Sequence, residues 1–299
     1  MAHHRITVER IAGGCGAEIG GVDLRRPLDP DTIAEIRRAL VENLCVFFRG
    51  QDGMTDLDQA RFAGYFGPFG RDPFVEGEAT HPNVVKVAKE ADEGDKPTFG
   101  GSWHSDWSFL ETPPSFTFLH ARELPPFGGD TMFSNQYLAY ETLSDGLRRT
   151  LDGLRAVYWA KSYAKSAAFF DNRNARGMKV RHDETAMAEM VHPVVRVHPE
   201  SGRRALFAND AYTVRFENVT QRESQPLLDF LYAQAVRSEF TCRFTWSPGA
   251  MAIWDNRCLQ HYAINDYGGH RREMRRTTLR GEKPIAVGED DNRRPVAAQ

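Results

Sequence analysis

Two kinds of apolar spacing alternate along this chain of 299 residues. Helical spacing, in which every third or fourth residue is apolar, predicts helices in four segments: 28–44, 55–67, 135–154 and 220–236. In the first segment Asp29 is a candidate N-cap, and Ile36 and Leu40 fall on the face that would be buried. In the last segment Thr220 and Glu223 have the spacing of a capping box.

Shorter β-type runs predict strands over 5–11, 17–24, 45–48, 115–121 and 131–133, a hairpin over 191–210 and further strands over 239–256. Residues 70–102 are rich in Gly, Pro and Asp, and we expect them to be irregular. Residues 160–190 combine weak periodicity with mixed charge, which predicts a long excursion or lid. Early helices followed by short strands favour an α+β fold whose core is a β-sandwich or barrel.

The composition is that of an ordinary globular protein, since 41% of the residues are hydrophobic and 26% are charged. A net charge of −3 gives no general attraction to nucleic acid or to an anionic membrane. The N-terminal MAHHRITVERI lacks the apolar run of a signal peptide, and no apolar run approaches the length of a membrane span. The four cysteines are far apart and form no CxxC pair, so we expect a cytoplasmic protein with reduced thiols.

The segment GSWHSDWSF places His104 and Asp106 two residues apart in an apolar setting. On a strand, this spacing would direct both side chains to one face. An imidazole and a carboxylate supply two thirds of the 2-His-1-carboxylate triad that binds Fe(II) in oxygenases. On this motif alone, a surface His–Asp pair without a metal stays open as the alternative.

A third ligand would come from the remaining histidines, of which the chain has ten in all. His120 lies within an apolar strand and His192 and His198 adjoin prolines beside strands, so we expect structural roles for them. His261 differs, because it follows a β-rich run and lies among polar residues in WDNRCLQHYAIND. The sequence therefore favours His261 as the partner of His104.

Arginines are concentrated in HRREMRRTTLRG, directly after this region. If residues 273–279 extend a strand, Arg272 and Arg276 share one face with a methionine, and Arg271 and Arg275 share the other face with a glutamate. The first pair would point inward and require anions, such as a dicarboxylate cosubstrate and an acidic substrate. The alternative is a solvated or nucleic-acid-binding basic patch.

Together these motifs resemble the taurine dioxygenase / 2,4-dichlorophenoxyacetate dioxygenase family of Fe(II)- and 2-oxoglutarate-dependent oxygenases. The resemblance extends over nearly the whole chain, through AEIGGVDLRRPL, WHSDWSFLETPP, GGDTMFSN, HPVVRVHPESGRRALFAND and IWDNRCLQHYAINDY…RRTTLRGEKP. It implies a single domain over 1–299 with a double-stranded β-helix (jelly-roll) core and flanking helices. Relatives of this kind are commonly homo-oligomers, so it also implies a dimer or tetramer.

The resemblance assigns roles residue by residue. His104, Asp106 and His261 match the Fe(II) ligands of the family. Thr131 and Arg272 match the pair that holds the distal carboxylate of 2-oxoglutarate. The implied reaction consumes O2 and 2-oxoglutarate, hydroxylates a C–H bond of a small acidic substrate, and releases succinate and CO2.

The substrate pocket departs from that of taurine dioxygenase. Arg276 matches the arginine that takes the sulfonate, but Asp72, Val75 and Gly100 stand at roughly the places of the His, Tyr and Asn of that enzyme. The remaining candidates for the pocket wall are aromatic: Phe74, Trp107 and Tyr212. We therefore expect a sulfonate, sulfate ester or carboxylate with an apolar or aromatic body rather than taurine.

Three alternatives stay open on the sequence. The same iron centre could support desaturation or epimerisation. A jelly-roll binding protein without activity is a second option, against which the intact triad counts. A hydrolytic zinc site is a third, although a hydrolase would have no need of Thr131 and Arg272.

Overall fold

The structure, a computed structural model, describes residues 5–94, 98–160, 178, 183 and 187–289. The first strands and helices are β1 Thr7–Arg10, β2 Ala17–Gly20, α1 Pro30–Asn43, β3 Cys45–Phe48, α2 Asp56–Gly64, β4 Gly77–Glu78, β5 His81–Lys89, β6 Phe116–Glu123, β7 Thr131–Asn135, α3 Gln136–Glu141, α4 Asp145–Asp152 and β8 Arg155–Tyr158. The later ones are β9 Met190–Pro193, β10 Val195–Val197, β11 Arg204–Leu206, β12 Thr213–Phe216, α5 Gln221–Ala235, β13 Thr241–Phe244, β14 Met251–Asp255, β15 Leu259–Ala263, β16 Arg272–Thr278 and β17 Ile285–Ala286.

The strands form a jelly roll, as predicted. The larger sheet has the strand order β1-β2-β3-β14-β6-β16-β5-β4, and a smaller sheet has the order β13-β7-β15. Two further three-stranded sheets have the orders β12-β8-β9 and β11-β10-β17. Strands distant in sequence are therefore neighbours in space, which is how residues from five parts of the chain reach one site.

Strict alternation on the larger sheet separates two hydrophobic layers. On β14, Met251 and Ile253 belong to the layer that contains residues of α1 and α2, such as Ile36 and Phe62. Their neighbours Ala252 and Trp254 belong to the layer shared with the smaller sheet. Because successive side chains of a strand point to opposite faces, helices cover one face of the sheet and the jelly-roll interior lies on the other.

The predicted helix starts are confirmed. The Asp29 side chain accepts hydrogen bonds from the amides of residues 31 and 32, and Thr220 and Glu223 form a capping box. The single helix predicted over 135–154 is wrong in one respect, because it is divided into α3 and α4. Ser144 caps α4 by accepting from the amide of Leu147, and this new N-terminus interrupts the helical run.

Other expectations need correction. Residues 70–102 are not irregular throughout, since β5 is a nine-residue strand whose valines are buried; its Gly- and Asp-rich flanks concealed it. Within 191–210, β10 and β11 form the predicted hairpin, but β9 pairs with β8. The predicted lid over 160–190 lies almost wholly outside the described residues, and the single-domain assignment stays a prediction. No helix in the described part of the chain has the length and apolar character needed to cross a bilayer.

Candidate active site

His104 and His261 are held together by their own backbones. The amide of His104 donates to the carbonyl of His261 at 3.1 Å, and the amide of His261 donates back at 2.8 Å. His261 belongs to β15, whereas His104 makes only this isolated bridge. The prediction of a continuous strand through His104 and Asp106 is therefore wrong, because the chain turns at Asp106 and reaches a positive φ of 45° at Trp107.

Despite this turn, the three predicted ligand side chains converge. Asp106 Oδ1 lies 3.5 Å from His104 Nε2 and 3.8 Å from His261 Nε2. One donor atom from each residue lies within 4.8 Å of the others, and all three side chains are buried. Such a cluster has the donor types and the spacing of a metal site with two imidazoles and one carboxylate.

The protonation states of the cluster suit metal binding. His104 Nδ1 lies 2.7 Å from the carbonyl oxygen of Ser102 and donates to it, which orients the ring with Nε2 facing Asp106. Burial and the neighbouring His104 hold the pKa of His261 well below its usual value, so this imidazole is neutral. Burial alone would raise the pKa of Asp106, but Arg276 and the two imidazoles outweigh it and keep the carboxyl ionised.

A second layer orients Asp106. The hydroxyl of Thr117, on β6, donates to Asp106 Oδ2 at 2.6 Å, and the Asn256 side chain donates to the same hydroxyl oxygen at 2.9 Å. The oxygen left to face the histidines is Oδ1. Trp254 completes the layer, because its indole donates to Asn256 and its ring centroid lies 4.6 Å from that of His261. The sequence analysis did not identify Thr117, Asn256 or Trp254 as supporting residues. The one signal in the sequence was Thr117 itself, a polar residue at an inward position of the apolar strand β6.

Arg272 and Arg276 project from the predicted inward face of β16, and both are buried. Arg272 lies against the ring of Trp246, whose indole donates to the Thr131 hydroxyl at 3.0 Å. Within the described residues, Arg272 Nε and Nη2 are buried without a hydrogen-bond partner. A Cβ at Gly129, where φ is +69°, would lie 3.1 Å from Arg272 Cδ, so glycine allows the loop to approach this side chain.

Arg276 differs from Arg272 in having counter-ions. Its Nη1 lies 3.0 Å from Asp72 Oδ2 and its Nη2 lies 2.8 Å from Asp106 Oδ1. Its guanidinium also contacts aromatic rings, 5.0 Å from the centroid of Trp107 and 5.9 Å from that of Phe99. Burial raises the pKa of Asp72, while Arg276 and the local backbone amides act in the opposite direction.

The outward face of β16 is self-neutralising, as predicted. Arg271 pairs with Glu90, Glu123 and Glu273, and Arg275 pairs with Glu273. Arg275 also lies 3.4 Å from Asp56 on α2. These arginines are engaged by carboxylates of the protein, which disfavours the alternative of a free basic patch.

A cavity of about 40 Å³ joins the predicted polar residues. The ones that line it are His104, Asp106, Thr131, His261, Arg272 and Arg276. Beside it the aromatic candidates pack on one another: Phe74 lies 5.5 Å from Trp107, and Tyr212 lies 5.9 Å from His104, between ring centroids. A larger cavity of about 390 Å³ lies on the side of Asp72, Val75 and Asn83, and it shares Arg276 with the first.

A jelly roll that brings a His-Asp-His cluster and inward arginines into one cavity has the architecture of the 2-oxoglutarate-dependent oxygenases. The comparisons with known proteins agree. The profile described as "Taurine catabolism dioxygenase TauD, TfdA family" matches residues 7–278, and the chain belongs to this family. It is thus a 2-oxoglutarate-dependent dioxygenase, an oxidoreductase.

Similar proteins cover almost the whole chain. An alpha-ketoglutarate-dependent sulfate ester dioxygenase of Pseudomonas putida is 37% identical over 94% of this chain and 92% of its own length. An alkylsulfatase of Acinetobacter baylyi is 34% identical over 93% of this chain and 86% of its own. The crystal structure of a taurine dioxygenase from Burkholderia xenovorans superimposes with a TM-score of 0.80 at 35% identity, covering 97% of this chain and 95% of that one.

Proposed function

We propose that this enzyme hydroxylates a C–H bond of a small organic acid in a reaction that depends on Fe(II) and 2-oxoglutarate, with succinate and CO2 as co-products. The observation that carries the proposal is the convergence of His104, Asp106 and His261 beside the buried Arg272, two of whose nitrogens have no hydrogen-bond partner in the described part of the chain. A zinc hydrolase would use the donor set but would leave that arginine without a purpose.

The residues fit Fe(II). His104, Asp106 and His261 would hold the ion, since the Nε2 atoms of both imidazoles face Asp106, the His261 imidazole is neutral and the carboxylate is ionised. Three protein ligands leave further coordination positions for a cosubstrate and oxygen. When bound, the iron would supply the activation of O2.

The residues also fit 2-oxoglutarate. Arg272 and Thr131 would hold its distal carboxylate, because the guanidinium is buried with Nε and Nη2 in need of an acceptor and the hydroxyl lies in the same cavity. Burial lowers the pKa of Arg272 by penalising its charged form, and a bound carboxylate would remove that penalty.

For the primary substrate, Arg276 would receive the acid group, with Asp72 beside it. The aromatic side chains Phe74, Trp107 and Tyr212 line neither cavity but pack beside His104 and Arg276, where they would exclude water from the site. The 390 Å³ cavity offers space for the body of the substrate next to Arg276. Two relatives are named for sulfate esters, which supports a sulfate ester or sulfonate before a carboxylate. Taurine is disfavoured, because Gly100 has no side chain to bind its amino group.

Four further expectations stay predictions: a single domain, a dimer or tetramer, a cytoplasmic location, and the absence of nucleic-acid or membrane partners. A net charge of −3 and the neutralised outer face of β16 support the last of these.

The test is a screen of O2 consumption with Fe(II) and 2-oxoglutarate against alkyl sulfates, alkanesulfonates, aryloxyalkanoates and acylated amino acids. We expect the largest rates with an alkyl or aryl sulfate or sulfonate, and one succinate per O2. Anaerobic Fe(II) and 2-oxoglutarate should first give the weak visible absorption of the chelate. A protein that forms no such band and no succinate would contradict the proposal.

A further inference from the structure

The two inward arginines of β16 are four residues apart and line the same cavity, yet they differ in counter-ions. Arg272 has two buried nitrogens without a partner among the described residues. Arg276 has a carboxylate at each end of its guanidinium, Asp72 on Nη1 and Asp106 on Nη2. One of these, Asp106, is a candidate metal ligand, so the counter-ion dedicated to Arg276 is Asp72.

Asp72 is held in place by its own loop. Its Oδ1 accepts from the amides of Phe74 at 3.0 Å and Val75 at 2.8 Å, and its Oδ2 faces Arg276 Nη1. The side chain is buried, so it cannot turn toward water without losing three hydrogen bonds. Arg276 is equally restrained, because its guanidinium is packed on Trp107 and lies near Phe99.

We propose that Asp72 is a specificity-determining counter-ion that restricts the acid group at Arg276 to a single negative charge. This inference rests on the proposed function and narrows its substrate class to monoanions such as sulfate esters and sulfonates. Asp72 lies at the Nη1 end of Arg276 and Asp106 at the Nη2 end, so an incoming acid group meets a guanidinium whose charge is already offset and finds little net positive charge. A dianion at that place would bring two negative charges close to these two carboxylates in a buried setting.

The same arrangement separates the two acids of the reaction. Among the described residues that line the cavity, Arg272 has two nitrogens without a hydrogen-bond partner, whereas Arg276 already faces the carboxylates of Asp72 and Asp106, so the doubly charged cosubstrate is attracted more strongly to Arg272. Asp72 thereby directs 2-oxoglutarate to one arginine and the primary substrate to the other, which two unpaired arginines four residues apart would not do.

The experiment compares methanesulfonate, a monoanion, with inorganic sulfate, a dianion of the same sulfur–oxygen geometry. Isothermal titration gives both dissociation constants for the wild type, Asp72→Asn and Asp56→Asn. Asn keeps an Oδ1 for the two loop amides, and Asp72→Ser offers a second uncharged acceptor if the Asn variant unfolds. Asp56 is the matched control, since it pairs with Arg122 and with Arg275 on the opposite face of the same strand.

We expect the wild type to prefer methanesulfonate, and Asp72→Asn to tighten sulfate binding at least tenfold more than methanesulfonate binding. Asp56→Asn should leave the ratio of the two dissociation constants unchanged, and Arg276→Met should remove the effect of Asp72→Asn in the double variant.

An unchanged ratio of the dissociation constants in Asp72→Asn and Asp72→Ser, or weaker binding of both anions, would overturn the inference. If the wild type decarboxylates 2-oxoglutarate but Asp72→Asn leaves the ratio of the two dissociation constants unchanged, only this inference fails. If the wild type does not decarboxylate 2-oxoglutarate, the proposed function fails, whatever the ratio of the dissociation constants.

Discussion

Among the residues that the structure describes, two buried clusters combine histidine with aspartate, and one of them is built to hold a ligand. His104, Asp106 and His261 form the first, and His198, Asp255 and Cys258 form the second. In both, the potential donor atoms lie within 4.8 Å of one another, so proximity does not separate them.

The difference lies in how the lone pairs are used. In the second cluster, His198 Nε2 donates to Asp255 at 2.9 Å, and His198 Nδ1 accepts from the amides of Glu200 and Ser201. Arg257 engages both oxygens of Asp255, at 2.8 Å through Nε and 2.7 Å through Nη2. The protein itself therefore satisfies the second cluster, which makes it structural.

In the first cluster, by contrast, the potential metal-binding atoms of His104, Asp106 and His261 face one another. His104 uses Nδ1 and Asp106 uses Oδ2 within the protein, whereas Asp106 Oδ1, which lies 2.8 Å from Arg276 Nη2, faces the Nε2 atoms of His104 and His261 across the cavity. Buried polar atoms without full satisfaction are costly, and they persist where a ligand completes them. The comparison teaches that spare lone pairs, more than donor types, identify a candidate metal centre.

Substituting one histidine in each cluster gives the largest expected effect. His104→Ala should abolish metal binding and succinate formation while leaving the thermal unfolding midpoint near that of the wild type. His198→Ala should lower the thermal unfolding midpoint and leave metal binding intact, because it removes one partner of the fully buried Asp255 carboxylate but touches no candidate ligand. Metal titration, succinate assays and calorimetry on both variants check this. Equal loss of metal binding in the two variants would contradict the distinction.

Substituting Asp255 should have the next largest effect, on the stability of the fold. Asp255→Asn removes one carboxylate from the buried Arg257 and leaves it Glu200 at 2.7 Å, so we expect the free energy of unfolding to fall by about 3 kcal/mol, the lower end for a broken buried ion pair. Metal affinity of the folded variant should be unchanged. Denaturant titrations measure the first quantity, and a metal titration of the folded variant measures the second. A loss of metal affinity without a loss of stability would contradict the structural role of Asp255.

The same carboxyl has a defined pH dependence. Burial alone would raise its pKa, but Arg257 and His198 outweigh burial and hold the pKa well below its usual value. A lowered folded-state pKa contributes stability above the unfolded pKa of about 4, and this contribution is lost as the pH falls below it. Below about pH 4 the stability of the wild type should therefore decline more steeply than that of Asp255→Asn.

The sequence predicted one cluster well and missed what supports it. His104, Asp106 and His261 could be singled out because their residue types and positions are unusual, and the faces of β16 followed from its alternation. The contact between Asp72 and Arg276 could not be predicted, since it joins residues 204 apart through a loop whose path depends on the fold. The strand β5 was missed for a related reason, because flanking Gly and Asp residues outweighed its valines until pairing with β16 was known.

Substituting Thr117 tests the smallest difference between the clusters. Its hydroxyl donates a single hydrogen bond to Asp106 Oδ2, which leaves Oδ1 to face the histidines. Thr117→Val keeps the shape of the side chain but removes the donor to Oδ2, so the carboxylate can rotate and Asn256 loses an acceptor. Because partners of ligating residues typically change metal affinity 10- to 100-fold, we expect about a tenfold higher dissociation constant for Fe(II) or Mn(II). Thr117→Ser keeps the hydroxyl and should bind metal like the wild type. If Val and Ser behave alike, the hydroxyl has no part in holding Asp106, and packing alone positions the carboxylate.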